Sequence, residues 1–329
     1  MNKSIKVFAP ATVANVGPGF DVLGFALNDI GDELEVSMTS DDKIRINKIE
    51  GYEDLPTDPG QNVVGIAIRA LLQELNLDQG FEITIKKRVM PGSGLGSSAS
   101  SSAAAVYAAN VLLGNPFSKR ELVKFAMEGE RASSGKAHAD NVAPSLLGGF
   151  TLVRSYGPLD VVSLQYPKNM FATVVHPQIE VKTADSKRIL KKEVSLEVAI
   201  SQWGNVAGLV AGLASGDFDL IGRSLEDHII EPVRSVLIPG YAGAKHQAMA
   251  SGALGCSISG SGPSIFALSE GKTTAKKIAK AFEGYYSELN IDHRVYISDI
   301  NPEGAKVVKV SDSVTGGSRK TEVRSRKVQ

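Results

Sequence analysis

The sequence predicts an α+β fold in two domains, and three observations carry that reading. Several short segments alternate apolar and polar residues, as half-buried strands do. Other segments repeat apolar residues every three to four positions, as helices packed on a core do. The two kinds of segment mix without the strict strand–helix alternation of a doubly wound sheet, and 329 residues suffice for two cores.

In chain order, residues 5–8, 33–38 and 43–49 alternate, and residues 81–86 place Phe81, Ile83 and Ile85 on one face. Residues 62–76 are helical in pattern. Val64, Ile68 and Leu72 fall four apart, as do Val63, Ala67, Leu71 and Leu75, which makes one broad apolar face. Residues 98–113 are alanine-rich and suit a tightly packed helix. Ser118 and Glu121 have the spacing of a capping box, which starts a helix running to about Ala132. Residues 149–154 return to a strand. A second part opens near Leu159 with strands at 161–166 and 171–176, followed by helical patterns at 193–214, 217–230 and 239–251. After the glycine-rich residues 255–263 come a strand at 265–268, a helix at 274–289 and short strands at 295–297 and 306–310. The expected domains are therefore 1–158 and 159–310, followed by a polar, basic and loosely ordered tail over 311–329.

Composition narrows the function. Lys+Arg and Asp+Glu both number 36, so no net field favours nucleic acid or anionic lipid, and an anionic ligand needs a local site. No basic stripe studded with aromatics supports a nucleic-acid partner either. The single cysteine, Cys256, excludes an internal disulfide and a cysteine-rich metal site; among small neighbours it reads as packed rather than reactive. The first ten residues lack the apolar stretch of a signal peptide, and no run approaches the ~20 apolar residues of a membrane span. The expected compartment is the cytoplasm, with no membrane partner.

The segment with the most chemistry is PGSGLGSSASSS, at residues 91–102 between the strand at 81–87 and the helix from about Ser98. Gly92, Gly94 and Gly96 give the backbone conformations closed to other residues. Several N–H groups can then converge on one concavity, and the positive end of the next helix adds attraction for an anion. Pro91, Ser93, Leu95, Ser97, Ser98, Ala99, Ser100 and Ser101 complete the loop, and its serines can offer hydroxyls to phosphate oxygens or to a metal. A glycine turn with a serine cap is the plain alternative, about as common for G-x-G-x-G alone. Two better-known nucleotide motifs fail. The only GKT, residues 271–273, has Phe266 where a P-loop needs its first glycine, and the three loop glycines lack dinucleotide-fingerprint spacing.

The string PGSGLGSSASS resembles the central motif of the GHMP kinases. APATVANVGPGFDVLG at residues 9–24 and GCSISGSGPS at residues 255–264 resemble the family's other two motifs, in the same order. The resemblance runs from about residue 4 to 310. P-A-T-x-A-N-x-G-P-G-F-D and HADNVAPSLLGG (residues 138–149) are closest to the branch that phosphorylates L-homoserine. The fold implied is an N-terminal domain like domain 2 of ribosomal protein S5, with a left-handed crossover, and a C-terminal ferredoxin-like α/β sandwich. The reaction implied is transfer of the ATP γ-phosphoryl group to the homoserine side-chain hydroxyl, with Mg²⁺, in threonine biosynthesis. A homodimer is a family expectation.

The same resemblance places Ser98 and Glu130 on Mg²⁺, and Thr183 beside the transferring phosphoryl group. Homoserine is a zwitterion with a short hydroxyl arm. Arg188 and Arg234 suit its carboxylate because a guanidinium is a planar fork; Asp21 would take the ammonium, and Asn15, His138 and Gly260 would border the substrate. Singly, each has a plain reading: Arg188 sits among Lys187, Lys191 and Lys192 as a surface residue would, and Glu130 fits a solvated helix face. Asn62, Val63, Lys87 and Val89 are candidates for the adenine, with core positions for the valines and the surface for Lys87 nearly as good. Some family members carry an Asp base where this chain has Asn141, and asparagine accepts no proton in the useful range. The expectation is catalysis without a protein base, Asn141 orienting the hydroxyl, with Asp140 as the less favoured base. Rival readings are a GHMP kinase for mevalonate or shikimate, and a non-catalytic sensor of the same fold.

Overall fold

The structure is a computed structural model that describes residues 3–179 and 188–312. The first layer is a seven-stranded sheet of order β11-β1-β2-β4-β3, extended by β5, which pairs with β2, and by β6, which pairs with β5. Its strands are β1 (Lys3–Ala14), β2 (Leu23–Met38), β3 (Ile44–Glu50), β4 (Phe81–Lys86), β5 (Phe150–Tyr156), β6 (Leu159–Leu164) and β11 (Lys306–Asp312). All pairs are antiparallel except β3 with β4, which α1 (Val63–Leu75) joins as a parallel crossover. Helices α2 (Ser97–Leu112), α3 (Lys119–Ser134) and α4 (Val142–Leu147) pack with α1 over this sheet. Alanines 99, 103, 104, 105, 108 and 109 of α2 are buried, so neighbouring helices and β1 approach its backbone closely on several sides.

The second sheet is four antiparallel strands of order β10-β7-β9-β8: β7 (Met170–Pro177), β8 (Gly255–Ile258), β9 (Ile265–Glu270) and β10 (His293–Asp299). Helices α5 (Leu196–Ser215), α6 (Phe218–Ser224), α7 (Glu231–Arg234), α8 (Tyr241–Ala250) and α9 (Gly271–Glu288) accompany it. The two halves share a core, in which Val13, Phe25 and Leu27 of the first sheet cluster with Val174, Phe266 and Leu268 of the second. Phe25 packs on Phe150 and Phe266 with ring centroids 4.8 and 5.9 Å apart.

The sequence pattern and the structure differ at identifiable places. β6 and β11 belong to the first sheet, so the chain returns to its N-terminal layer after leaving it, and no cut at residue 158 separates the sheets. The start of β2 is buried on both faces (its first five residues all are), and a strand covered on both sides does not alternate. Residues 217–230, read as one helix, form α6 and then a turn closed by Asp227, whose carboxylate accepts the N–H groups of Ile229, Ile230 and Glu231 at 2.9 Å each. Helix α4 was not legible as a separate element. Thr183 and residues 313–329 of the expected tail lie outside the described residues.

Candidate active site

The glycine loop leaves β4 and ends where α2 begins. Gly92, Gly94 and Gly96 all have left-handed φ, at +74°, +79° and +63°. A Cβ on Gly94 would lie 2.6 Å from the Ser259 carbonyl oxygen, and one on Gly96 2.1 Å from Thr12 Oγ1. Gly92 instead faces open space, with nothing within 4 Å of a Cβ there. No side chain caps α2, whose N-cap is Gly96 itself. The N–H groups of Ser97, Ser98 and Ala99 are therefore the unsatisfied donors of the first turn, directed at the loop's concavity.

Most of the loop's hydroxyls are committed to the protein. Ser97 Oγ donates to the Val89 carbonyl at 2.7 Å, Ser100 Oγ to Ala9 at 2.8 Å and Ser101 Oγ to the Asp32 carboxylate at 2.7 Å. Asp32, at 0% exposure, also accepts the N–H groups of Arg88 and Val89 at 2.9 and 3.1 Å and forms an ion pair with Lys87. Lys87 gives its other protons to the Ser97 carbonyl at 2.6 Å and Ser101 Oγ at 2.9 Å, so all three ammonium donors have protein partners. This buried pair ties β2, the end of β4 and the first turn of α2 together beneath the loop.

Facing the loop is the turn between β1 and β2. Asn15, Val16 and Asp21 have positive φ at 73°, 40° and 60°, each costing on the order of 1–3 kcal/mol that the surroundings must hold. Asn15 does much of the holding. Its Oδ1 accepts the Asp21 N–H at 3.1 Å and its Nδ2 donates to the Gly260 carbonyl at 2.8 Å. Arg234 Nη1 donates to the same carbonyl at 3.0 Å, and its guanidinium lies 5.0 Å over the Phe20 ring. Burial pulls the Arg234 guanidinium below its ordinary value, while the carboxylates of Asp21, Asp227 and Asp140 pull the other way. His138 Nδ1 lies 3.5 Å from Asp21 Oδ1.

These parts border one cleft of ≈ 340 Å³. Asn15, Phe20, Asp21, His138 and Arg234 line one end, while Leu55, Pro56, Gln61, Asn62, Val63 and Ile85 line the other. Gly92, Gly94, Gly96, Ser98, Glu130, Asp140 and Asn141 lie along it. Asn141 Oδ1 accepts from Thr12 Oγ1 at 2.8 Å, which leaves the amide nitrogen's donors for a ligand. Asp140 is buried, and burial together with the charges of Asp21 and Glu130 raises its carboxyl to about 7.

A cleft with a glycine loop on one wall and paired charges on the other has close counterparts. Residues 62–149 match the model of the GHMP kinases N terminal domain, and residues 209–288 that of the GHMP kinases C terminal. A homoserine kinase of Chloroherpeton thalassium is 48% identical over 318 residues, covering 93% of this chain and 100% of that protein. The chain belongs to the GHMP kinase family. A homoserine kinase of Pyrococcus abyssi is 39% identical over 301 residues, 92% of this chain and 98% of that protein. The crystal structure of homoserine kinase from Cytophaga hutchinsonii superposes with a TM-score of 0.90 at 55% identity, covering 93% of this chain and 97% of that one. L. major mevalonate kinase in complex with R-mevalonate has a TM-score of 0.68 at 17% identity over 90% and 96% of the two chains, a likeness of fold alone.

In this GHMP kinase most of the residues singled out from the sequence meet at the cleft. Asn15, Asp21, His138, Arg234 and Gly260 are at one end, and Asn62, Val63 and Lys87 reach the other. Ser93, Leu95, Ser97, Ala99, Ser100 and Ser101 are buried in or under the loop, and of these Ser97 and Ser101 also touch the cleft. Val89 is a core residue. Arg188 is exposed, at the edge of the described segment, and does not line the cleft. Asn62 spends its amide on the α1 cap, accepting from Val64 N at 3.0 Å and donating to the Pro56 carbonyl at 2.7 Å. Sequence reasoning missed Asp32, Tyr156 and the wall at Leu55, Pro56 and Gln61. Phe20, inside the quoted motif, could have been found from its place beside Asp21.

Proposed function

We propose that this chain is an ATP-dependent homoserine kinase that transfers the γ-phosphoryl group to the side-chain hydroxyl of L-homoserine, giving O-phospho-L-homoserine for threonine biosynthesis. The observation that carries this is one cleft with the glycine loop and the start of α2 on one wall and Asp21 and Arg234, charges of both signs, on the other. The homoserine kinases to which the chain is 48% and 55% identical support it.

The triphosphate lies over Gly92 and the start of α2, where backbone N–H groups and the helix end meet its charge. Its base occupies the apolar end at Leu55, Pro56, Val63 and Ile85. Arg234 receives the substrate carboxylate and Asp21 its ammonium, with His138 and Asn15 beside them. The resemblance also implies Thr183 beside the moving phosphoryl group and Arg188 as a second cation, though Arg188 lies outside the cleft lining in this structure. Ser98 and Glu130 offer a hydroxyl and a carboxylate to the same space, hard oxygen donors of the kind Mg²⁺ prefers. No group of three His, Cys, Asp or Glu among the described residues could hold a metal ion unaided. When bound, Mg²⁺ offsets charge on the phosphates. Asn141, fixed by Thr12, donates to the acceptor hydroxyl and orients its lone pair toward phosphorus; as the new O–P bond forms and ADP leaves, the hydroxyl proton passes to an oxygen of the transferred phosphoryl group.

One observation favours a second reading of the proton's fate. Asp140 borders the same space with its carboxyl raised to about 7, the range in which a general base works best. In that reading Asp140 takes the hydroxyl proton as the oxygen attacks. Coupled ADP release with L-homoserine, with and without Mg²⁺, tests the activity. Turnover of mevalonate or shikimate comparable to that of homoserine would overturn the substrate. Asp140→Asn separates the two readings: a base loses 10²-fold or more in kcat, a bystander much less.

A further inference from the structure

We infer that Tyr156 is a positioning residue for the acceptor substrate, a strut that holds the Asp21 carboxylate in place from outside the cleft. This rests on the reading of Asp21 as the ammonium's partner. Tyr156 is the last residue of β5 and does not line the cleft. Its hydroxyl donates to the Asp21 carbonyl at 2.9 Å and accepts the Ala139 N–H at 3.2 Å. One oxygen therefore joins the β1–β2 turn to the segment that carries His138, Asp140 and Asn141, which are 117 or more residues away in sequence from Asp21.

The join matters because both segments need outside support. Asp21 holds φ +60°, a conformation a non-glycine residue leaves unless its neighbours prevent it. Asn15 Oδ1 fixes the Asp21 N–H and Tyr156 fixes its carbonyl, so both peptide groups flanking the strained residue are tied. The second tie continues through Ala139 N–H to the residue next to His138, which itself sits 3.5 Å from the Asp21 carboxylate. Removing the hydroxyl unties the Asp21 carbonyl from the turn before α4 and leaves that peptide only the bond from its Val22 N–H to the Gly19 carbonyl at 3.0 Å. The loop over the phosphates has its own supports in Asp32, Lys87 and Ser259, none of which touches Tyr156.

The test is Tyr156→Phe, which keeps the ring at a partly exposed position and deletes only the hydroxyl. The KM for L-homoserine rises five- to twentyfold, the KM for MgATP stays within twofold, and the thermal midpoint falls by no more than a few degrees. An unchanged homoserine KM overturns the strut. So does an equal rise in both KM values with a large drop in midpoint, the signature of general loosening. Asp21→Asn, measured beside it, tests the underlying reading. If Asp21→Asn leaves the homoserine KM unchanged, the ammonium assignment falls. If Asp21→Asn weakens homoserine but Tyr156→Phe does not, the strut alone falls. In the Asp21→Asn background, Tyr156→Phe adds less than twofold.

Discussion

The two ends of the cleft are built on opposite principles. At the loop end, the proposed nucleotide site, the side chains look inward: Lys87, Ser97, Ser100 and Ser101 all spend their donors on the protein, which leaves backbone N–H groups and Ser98 facing the cleft. At the acceptor end the charged side chains of Asp21, His138 and Arg234 line the cleft themselves, on and around a turn with three left-handed non-glycine residues and beside a carboxylate raised to about 7. Triphosphate is a ligand of uniform shape and charge, and a rigid backbone cradle suits it. A small zwitterion must be told from other alcohols, which takes side chains of both charges bordering the space it would fill. Rigidity is therefore concentrated beneath the loop, and strain is concentrated opposite it.

The largest effect comes from breaking the rigid end. Asp32→Ala leaves the Lys87 ammonium buried without its counter-charge and removes the acceptor of three further donors, the N–H groups of Arg88 and Val89 and the Ser101 hydroxyl. Loss of one partner from a buried pair costs about 3–5 kcal/mol. Denaturant titration should show that loss, and ATP affinity should fall with it. Next is Gly96→Ala, whose Cβ would sit 2.1 Å from Thr12 Oγ1 and 2.8 Å from Asn141 Oδ1 at φ +63°. Strain and overpacking together cost about 2–4 kcal/mol, and kcat should drop more than 30-fold because the clash moves Asn141. A Gly92→Ala variant, which meets no neighbour but still carries the strain of φ +74°, should lose about 1–2 kcal/mol while weakening ATP.

How much of this was legible in the sequence follows the same division. Local chemistry read well. Strand β4 runs over the residues its alternation marks, α1 begins and ends at Asn62 and Asn76 caps, and Ser118 with Glu121 forms the capping box. The glycine loop was legible because left-handed turns demand glycine. What the sequence hid depends on long-range pairing. Nothing beside Asp32 marks it as the partner of a lysine 55 positions away. β6 and β11 join the first sheet through pairings their own patterns cannot disclose. Lys87, flanked by Lys86 and Arg88 in the sequence, reads as an adenine candidate or a surface residue, and only its three bonds show the inward role.

At the acceptor end the contrast becomes a pH dependence. The folded-state carboxyl of Asp140 is raised from 3.8 to about 7, so folding favours its protonated form. Its contribution to stability is fully present below pH 4 and is lost as pH rises through 7. Between pH 6 and pH 8, in buffer free of nucleotide and metal, that loss amounts to about 1.4 kcal/mol, one pKa unit's equivalent. Asp140→Asn should flatten the stability curve over this interval and be the more stable protein at pH 8. A wild-type curve that is already flat there would show that Asp140 ionises without cost, and the contrast between the two ends would weaken.

The smallest effect belongs to the residue where the ends meet. Thr12 N–H donates to the Leu95 carbonyl of the loop at 3.1 Å, and its hydroxyl donates to Asn141 Oδ1 at 2.8 Å. Thr12→Val keeps the shape and the backbone bond and deletes one hydroxyl donor. Asn141 then loses what distinguishes its oxygen side from its nitrogen side, at a cost of about 1 kcal/mol. The expected result is a five- to tenfold fall in kcat with both KM values within twofold, because orientation of the acceptor hydroxyl is lost while both binding sites persist. A rise in the ATP KM instead would mean that Thr12 serves the loop rather than Asn141, and that the rigid end reaches further across the cleft than its hydrogen bonds indicate.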